Sequence, residues 1–444
     1  MPKKEYDWTN GPATLEPHSR AKYTILRRYV EEYLRILTIN GKVPEFRVTL
    51  VDGFAGGGEY VVKGGGGAIH DGSPIILIGA VNAATAHLNT SRKKPLNIDA
   101  NFVFVEKNAS AHNYLEKALH KKFEPDFIKK KVSLIHGAFE NHVWDIVKNI
   151  QSVSGRKPRP IFILDQYGYS KIPVDMIAGI MQALPTAEVF LTLAVDYIAD
   201  YSSDLSDAYA RLESSLHIDT SHVKSILDGR KDLEEIEMLS EGDRHVVMQQ
   251  IQWLLHEAFA RKACALYYTP FFITSASSRK SYWFLHLANN YRANDVVKQL
   301  HWEVANHFEH HCGAGIDMMV LGVDPSRPPT AQRSFDFGDS AQQQTVEKLL
   351  KDLPARLRHE KYRNGVSISD LYADLGNGTP ASIAVLKKPL KILVSCGELE
   401  RVGAHQEQRH LTTDLQDNDI VRPAKAGLLF SLADLRSSDS KKKT

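Results

Sequence analysis

The sequence predicts a doubly wound α/β domain carrying a helical insertion, followed by a C-terminal winged helix-turn-helix domain. Three observations carry that expectation. Between positions 46 and 194, apolar strand-like runs alternate with amphipathic stretches of about 10–15 residues, the pattern of βαβ units in a parallel sheet covered on both faces. Two more apolar runs, Phe271–Ser275 and Tyr282–Ala288, are spaced as an antiparallel pair that closes the sheet. Beyond a proline-rich joint (Asp324–Thr330), the order helix, helix, turn, helix and turn-rich β-like sequence is that of a winged helix-turn-helix.

The elements follow in order. An amphipathic helix runs from about Ser19 to Ile39, with Ile25, Leu26, Tyr29, Val30, Tyr33, Leu34 and Leu37 at helical spacing, and stops at Asn40-Gly41. Strands are expected at Phe46–Val51, Asn101–Val105, Val132–His136, Pro160–Leu164 and Glu188–Ala194. Helices are expected at Ser73–Leu88, Ser110–Lys122, Asn141–Gln151 and Val174–Leu184. The stretch Tyr201–His245 reads as a mostly helical lid or side wall and is acidic, with 11 Asp/Glu against 5 Lys/Arg. Another helix follows at His245–Lys262, and one at Asn294–His307 packs behind the antiparallel pair. The last domain has helices at Ala341–Arg358, Ile368–Leu375 and Ala381–Cys396, and from Ala341 onward carries 17 Lys/Arg against 13 Asp/Glu. The expected divisions are an N-terminal helical segment (1–45), the α/β domain (46–324, insertion at about 197–266), the winged-helix domain (325–436) and a disordered basic tail (437–444).

Composition narrows the setting. With 444 residues, 43% hydrophobic and a net charge of +2, the chain lacks the low hydrophobicity and high charge of a disordered protein and is long enough for two or three domains. The cysteines Cys264, Cys312 and Cys396 are scattered and form no C-x-x-C pair, which argues against a disulfide framework or a thiolate zinc site and for a reducing, cytoplasmic setting. The longest apolar run, Pro74–Ala86, is too short and interrupted to span a bilayer, and the first residues lack a signal-peptide core, so neither a membrane partner nor secretion is expected.

Two motifs carry chemistry. Directly after the first strand stands Val51-Asp52-Gly53-Phe54-Ala55-Gly56-Gly57-Gly58-Glu59-Tyr60, a glycine-rich turn that lets backbone N–H groups approach a nucleotide-like ligand. The next strand ends at Glu106, where a carboxylate can accept both hydroxyls of a ribose. The 50-residue spacing from the glycines is too long for a dinucleotide fingerprint, whose acid lies about 20 residues on. The second motif, Leu164-Asp165-Gln166-Tyr167-Gly168-Tyr169, ends the fourth strand and so opens into the same crevice. There Asp165 would accept hydrogen bonds from an amino group and Tyr167 or Tyr169 would stack on a planar base; alternatively Asp165 caps a turn and Tyr167 packs as core. The cluster His307, His310, His311 and Cys312 has only one pair at helical i, i+4 spacing, and no metal site is expected there. Arg279 and Lys280 read as an exposed hairpin turn, and Trp283 and Trp302 as core.

These motifs resemble those of the three-Cys-motif partner proteins, which have a class I S-adenosylmethionine-dependent methyltransferase-like, Rossmann-like fold. The likeness rests on His18-Ser-Arg-Ala-Lys22, Asp52-Gly-Phe-Ala-Gly-Gly-Gly58 with Tyr60, Gly72-Ser73-Pro74, Asp165-Gln-Tyr-Gly168, and Leu285-His-Leu-Ala-Asn-Asn-Tyr-Arg292 followed by Trp302. The glycine turn also resembles that of adenine-N6 rRNA methyltransferases. The resemblance implies S-adenosyl-L-methionine as cofactor, with Asp52, Phe54, Gly56, Gly58 and Tyr60 around its methionine part and Glu106 on its ribose. It implies Asp165, Tyr167 and Lys22 at the acceptor, a base amino group of DNA or RNA, and a three-Cys-motif protein as partner. The sequence departs from the family's Asp-Pro-aromatic-Gly in having Gln166 where proline stands, which keeps a non-catalytic binding or scaffold module in phage defence as a rival. Lys387, Lys388 and Lys391, on the third helix of the C-terminal domain, are the expected nucleic-acid contacts.

Overall fold

The computed structural model describes residues 6–15, 17–39, 44–62, 67–90, 92–153, 157–166, 170–194, 205–221, 258–259, 261–274, 281–304, 308–309, 315–316, 339–403 and 413–424. The chain divides into two compact units, Met1–His311 with Gly322–Phe337, and Cys312–Leu321 with Gly338–Thr444.

The first unit is mixed α/β. Its main strands are β2 (Glu45–Asp52), β5 (Asn97–Glu106), β6 (Val132–His136), β7 (Pro160–Leu164), β8 (Glu188–Leu193), β9 (Tyr267–Thr274) and β10 (Ser281–Ala288), with a short edge strand β11 (Phe308–Glu309). They lie in the order β11-β9-β10-β8-β7-β2-β5-β6. The first five are mutually parallel, in register Asp52↔Phe104 and Asp52↔Ile163 beside the central strand. β10 runs antiparallel to both neighbours, with Trp283 opposite Leu193 on one side and Phe272 on the other. Every residue of β7 and β8 is buried, as expected of central strands with both faces covered. Because the order reverses between β2 and β7, a crevice opens at their carboxyl ends.

Helices cover the sheet: α1 (Pro17–Thr38), α2 (Ser73–Thr90), α3 (Ala109–Lys122), α4 (Pro125–Lys131), α5 (Phe139–Val153), α6 (Val174–Ala183), α7 (Leu205–Leu216) and α8 (Tyr291–Val304). The apolar stripe read along α1 is the buried one, with Ile25, Leu26, Tyr29, Val30 and Leu34 at 3% exposure or less. α3 starts where the Asn108 side chain accepts the Ser110 and Ala111 N–H groups. Among the described residues no helix is long and apolar enough to cross a membrane.

Between the glycine turn and the helix that starts at Ser73 the structure adds a small second sheet that was absent from the expected elements, made of β1 (Ala13–Leu15), β3 (Glu59–Val62) and β4 (Ile69–Asp71) in the order β1-β3-β4. β1 pairs parallel with β3 in register Ala13↔Tyr60, and β3 antiparallel with β4 in register Glu59↔Asp71. This pairing holds the chain ahead of α1 against the glycine turn. α4 was likewise absent from the expected elements. Of the acidic insertion, α7 is described; most of the rest lies outside the described residues, as do His307, His310, His311, Cys312, the hairpin tip with Arg279 and Lys280, and the tail. Trp283 and Trp302 are buried.

In the second unit, α9 (Asp339–Leu357), β12 (Val366–Ser367), α10 (Ile368–Leu375), α11 (Ile383–Ser395), β13 (Leu399–Val402) and β14 (Ile420–Pro423) follow one another, and the strands form an antiparallel sheet β12-β14-β13. Ser367 and Ser382 cap α10 and α11 by accepting the Asp370 and Val385 N–H groups. A buried ion pair, Arg401 to Asp419 at 2.6 Å, ties β13 to the start of β14.

Candidate functional site

The carboxyl ends of β2, β5 and β7 converge on a cavity of about 400 Å³, within the range that encloses a small-molecule ligand. One wall is the glycine turn. Gly56 (φ +61°) and Gly58 (φ +77°) occupy the left-handed region, which only glycine adopts without strain. A side chain at Gly57 would meet Trp8 Nε1 at 2.2 Å, so the indole lies directly on the backbone of the turn, its Nε1–H donating to the Glu59 carbonyl at 3.1 Å. Tyr6, Trp8, Tyr23 and Tyr60 build an aromatic wall, with the Trp8 and Tyr60 rings 5.5 Å apart and edge-on.

Glu106 closes the second side. Its carboxylate accepts the Gly56 N–H at 2.8 Å and the Asn108 N–H at 2.6 Å, linking the glycine turn to the end of β5. Burial raises its pKa above the usual carboxylate range, opposed by these backbone donors. A carboxylate has roughly four acceptor directions, so the backbone donors leave Glu106 acceptor capacity for a ligand. Phe54 and Phe139, 6.2 Å apart, supply an apolar face beside it.

The third side holds Asp165, and here the structure adds a partner from far away in sequence. Lys22 Nζ, on α1, donates to both Asp165 oxygens at 2.5 and 2.6 Å. The lysine side chain is 4% exposed and the aspartate 23%, so Lys22 points inward as an ion-paired residue of the cavity. Next to Asp165, Gln166 is 3% exposed, and across on β8 Thr192 is 2% exposed; both line the cavity. Among the described residues Gln166 Nε2 and Thr192 Oγ1 are fully buried with no hydrogen-bond partner.

Asp52 and Gly58 are not among the residues facing the cavity. Gly58 backs onto Leu115. Asp52 is fully buried; its Oδ1 accepts the Phe54 N–H at 3.1 Å while Oδ2 has no partner in hydrogen-bonding geometry. Burial pushes Asp52 up to about 7, against the pull of the Ser73 hydroxyl and the Phe54 amide. Tyr167, with Gly168 and Tyr169, lies outside the described residues.

The structure thus brings together Lys22, Phe54, Gly56, Tyr60, Glu106 and Asp165 from four separate stretches of sequence. Sequence reasoning missed Trp8, Tyr23, Phe139 and Thr192 and named Gln166 only as a departure. Trp8 and Tyr23 could have been flagged as aromatics flanking the glycine turn's partner helix; Thr192 carried no signal. In the second unit, Lys387 and Lys391 pair with Asp417 at 2.6 Å and Asp414 at 2.8 Å, and Lys388 donates to Gln342, so each of the three expected nucleic-acid contacts is engaged within the unit. Among the described residues no group of three or more His, Cys, Asp or Glu is placed to hold a metal ion.

No protein-family model matches the chain, and no curated protein does. Among solved structures there are distant likenesses. A Legionella pneumophila protein described under the family name DUF519 covers 66% of this chain and 93% of its own, at 11% identity and a TM-score of 0.36. The O-methyltransferase from Bacillus cereus in complex with SAH covers 62% and 92%, at 11% identity and 0.24. The plantazolicin methyltransferase BamL, in complex with a triazolic desmethylPZN analog and SAH, covers 62% and 85%, at 10% identity and 0.21.

Proposed function

We propose that the first unit binds S-adenosyl-L-methionine and transfers its methyl group to an amino nitrogen of a nucleic-acid base. The observation that carries this reading is the convergence, in one cavity, of the glycine turn, Glu106 and the Lys22–Asp165 pair at the switch in strand order. The residues present fit the cofactor. Glu106 has acceptor capacity left for ribose hydroxyls, and the glycine turn brings backbone close.

When bound, S-adenosylmethionine supplies an electrophilic methyl on its sulfonium. The chain's own contribution is alignment. Asp165 would offer its remaining lone pairs to an acceptor amino group, orienting the nitrogen, and would receive the proton that the nitrogen sheds when its new bond to the methyl replaces the methyl–sulfur bond, whose electron pair stays on sulfur. Lys22 compensates the Asp165 charge and fixes its orientation. Trp8 and the paired strands β1 and β3 hold the glycine turn and exclude water from one side.

The order helix, strand, helix, helix, strand, strand in the second unit, with its three-stranded antiparallel sheet, supports a winged helix that docks nucleic acid or a protein such as the three-Cys-motif partner. Phosphate contacts at Lys387, Lys388 and Lys391 would have to displace their present partners, so their role is tested by the slope of affinity against salt: a flat response removes them from the interface.

Calorimetric titration with S-adenosylmethionine and S-adenosylhomocysteine tests the core of the reading, and no heat from folded protein sinks it. Asp165→Ala should abolish methyl incorporation into nucleic acid while cofactor affinity stays within a few-fold. A second reading, a cofactor-binding scaffold without catalysis, is favoured by the occupancy of Asp165 by Lys22. It is distinguished by cofactor binding without incorporation of labelled methyl into DNA, RNA or a partner protein.

A further inference from the structure

We infer that the acceptor half of the cavity reads a base edge on which an exocyclic amino group stands beside an unprotonated ring nitrogen, as in adenine and cytosine, with Gln166 as the residue that determines this specificity. The inference rests on the methyl-transfer reading and deepens it. Gln166 follows Asp165 directly at the carboxyl end of β7 and lines the same cavity. Its Oε1 accepts the Lys171 N–H at 2.9 Å. That bond settles the orientation of the amide, since the opposite assignment would set N–H against N–H. Nε2 is therefore a donor held in one direction, in a side chain 3% exposed, with no partner.

A buried donor without a partner costs the desolvation of that group with nothing to offset it, and such a group beside a cavity is explained when a ligand completes it. The Thr192 hydroxyl, in a residue 2% exposed on the neighbouring strand, is a second buried polar group on the same cavity with no partner among the described residues. The pair Asp165 and Gln166 thus presents an acceptor-only carboxylate next to a fixed donor. The complement is a planar edge with an N–H₂ donor for Asp165 and a ring-nitrogen acceptor for Gln166. Hypoxanthine and uracil present the reverse, a carbonyl beside a ring N–H, and would set acceptor against acceptor at Asp165 and donor against donor at Gln166. A proline at position 166, as in the family pattern, offers no side-chain donor, so this selectivity belongs to this chain.

The test uses the full chain saturated with S-adenosylhomocysteine and single-stranded thymine 12-mers carrying one central adenine, cytosine, hypoxanthine or uracil. Binding is read by fluorescence anisotropy. The adenine oligomer should bind about 10-fold or more tightly than the hypoxanthine one, or the cytosine oligomer than the uracil one, the range for a good paired base contact. Gln166→Glu keeps an acceptor for the Lys171 N–H and replaces the donor by an acceptor; it should bring the ratio below about 3-fold, as should Gln166→Met, with affinity for S-adenosylhomocysteine certifying that each variant is folded. Failure of wild-type protein to bind S-adenosylhomocysteine overturns the methyl-transfer reading and this inference together. Retained cofactor binding with equal affinity for amino and oxo bases, or with no oligomer bound, overturns the base-edge inference alone, and a variant that keeps the full ratio removes Gln166 from the specificity, leaving its amide to a bound water.

Discussion

Replacing Asp52 by Asn should flatten the pH dependence of the first unit's stability. Asp52 is fully buried, accepts one hydrogen bond from the Phe54 amide, and is pushed from 3.8 up to about 7 by loss of hydration, with the Asp165 and Glu106 charges adding to the effect. The folded chain therefore holds this proton more tightly than the unfolded chain. As pH rises from about 4 to 7 the proton is withdrawn at the expense of the folded state. At 1.36 kcal/mol per pH unit the whole effect is at most roughly 4 kcal/mol, of which roughly 2–3 kcal/mol falls between pH 5 and pH 8. Asn keeps the acceptor for Phe54 and carries no charge, so the variant escapes this loss. Thermal unfolding followed by near-ultraviolet circular dichroism should show its apparent Tm gaining roughly 4–10 °C on the wild type between pH 5 and pH 8, at about 2–4 °C per kcal/mol for a unit of this size. Parallel curves across that range would refute a buried, strained carboxyl at position 52.

Lys298 on α8 is buried and lowered to about 7 by desolvation, with Asp295 opposing. The folded state favours the neutral amine, so stability is lost as pH falls from about 10.5 to about 7, and Lys298→Met should stabilise by roughly 2–3 kcal/mol more at pH 6 than at pH 9 in urea titrations. Gly57→Ala places a methyl 2.2 Å from Trp8 Nε1; displacement of the indole should destabilise by about 1–3 kcal/mol and shift tryptophan emission to the red, and unchanged emission would contradict the packing. Lys22→Met leaves Asp165 without its partner and should lose roughly 1–3 kcal/mol, discounted for the partial exposure of Asp165; adding Asp165→Asn should recover most of it, and an additive double mutant would dissolve the pair. In the second unit, Arg401→Leu strands the buried Asp419 carboxylate and should destabilise by roughly 3–5 kcal/mol, read as loss of protection in amide exchange at β13 and β14.

The sheet was readable because its strands are long, β-branched and punctuated. Val132–His136 and Pro160–Leu164 stand where the pattern put them, and the other main strands differ at their ends by a few residues. The small sheet was not readable, since β1, β3 and β4 have three or four residues each, too few for alternation to show, and two of them flank the glycine-rich stretch that looked like loop. The helix Pro125–Lys131 was legible in principle: proline opens it and three lysines close it, where the helix dipole favours cations. Its seven residues fell below the length at which helical periodicity registers. In the site, Gly56 and Glu106 could be named because backbone geometry and strand ends constrain residue type locally.

Lys22 illustrates the part that local reasoning cannot reach. It stands 143 residues from Asp165, on a helix that would be equally amphipathic with that lysine in solvent. Only the placement of α1 against the carboxyl ends of the strands decides between the two. That placement also changes the chemistry assigned to Asp165. A carboxylate expected to wait for an amino group already receives two N–H bonds from Lys22, so a substrate amine must share the oxygens with the lysine instead of claiming them outright. On the proposed reading the donor that the sequence puts next to it, Gln166, then gains weight: with Asp165 partly committed, discrimination among bases would fall on the neighbouring amide, whose Nε2 has no hydrogen-bond partner among the described residues.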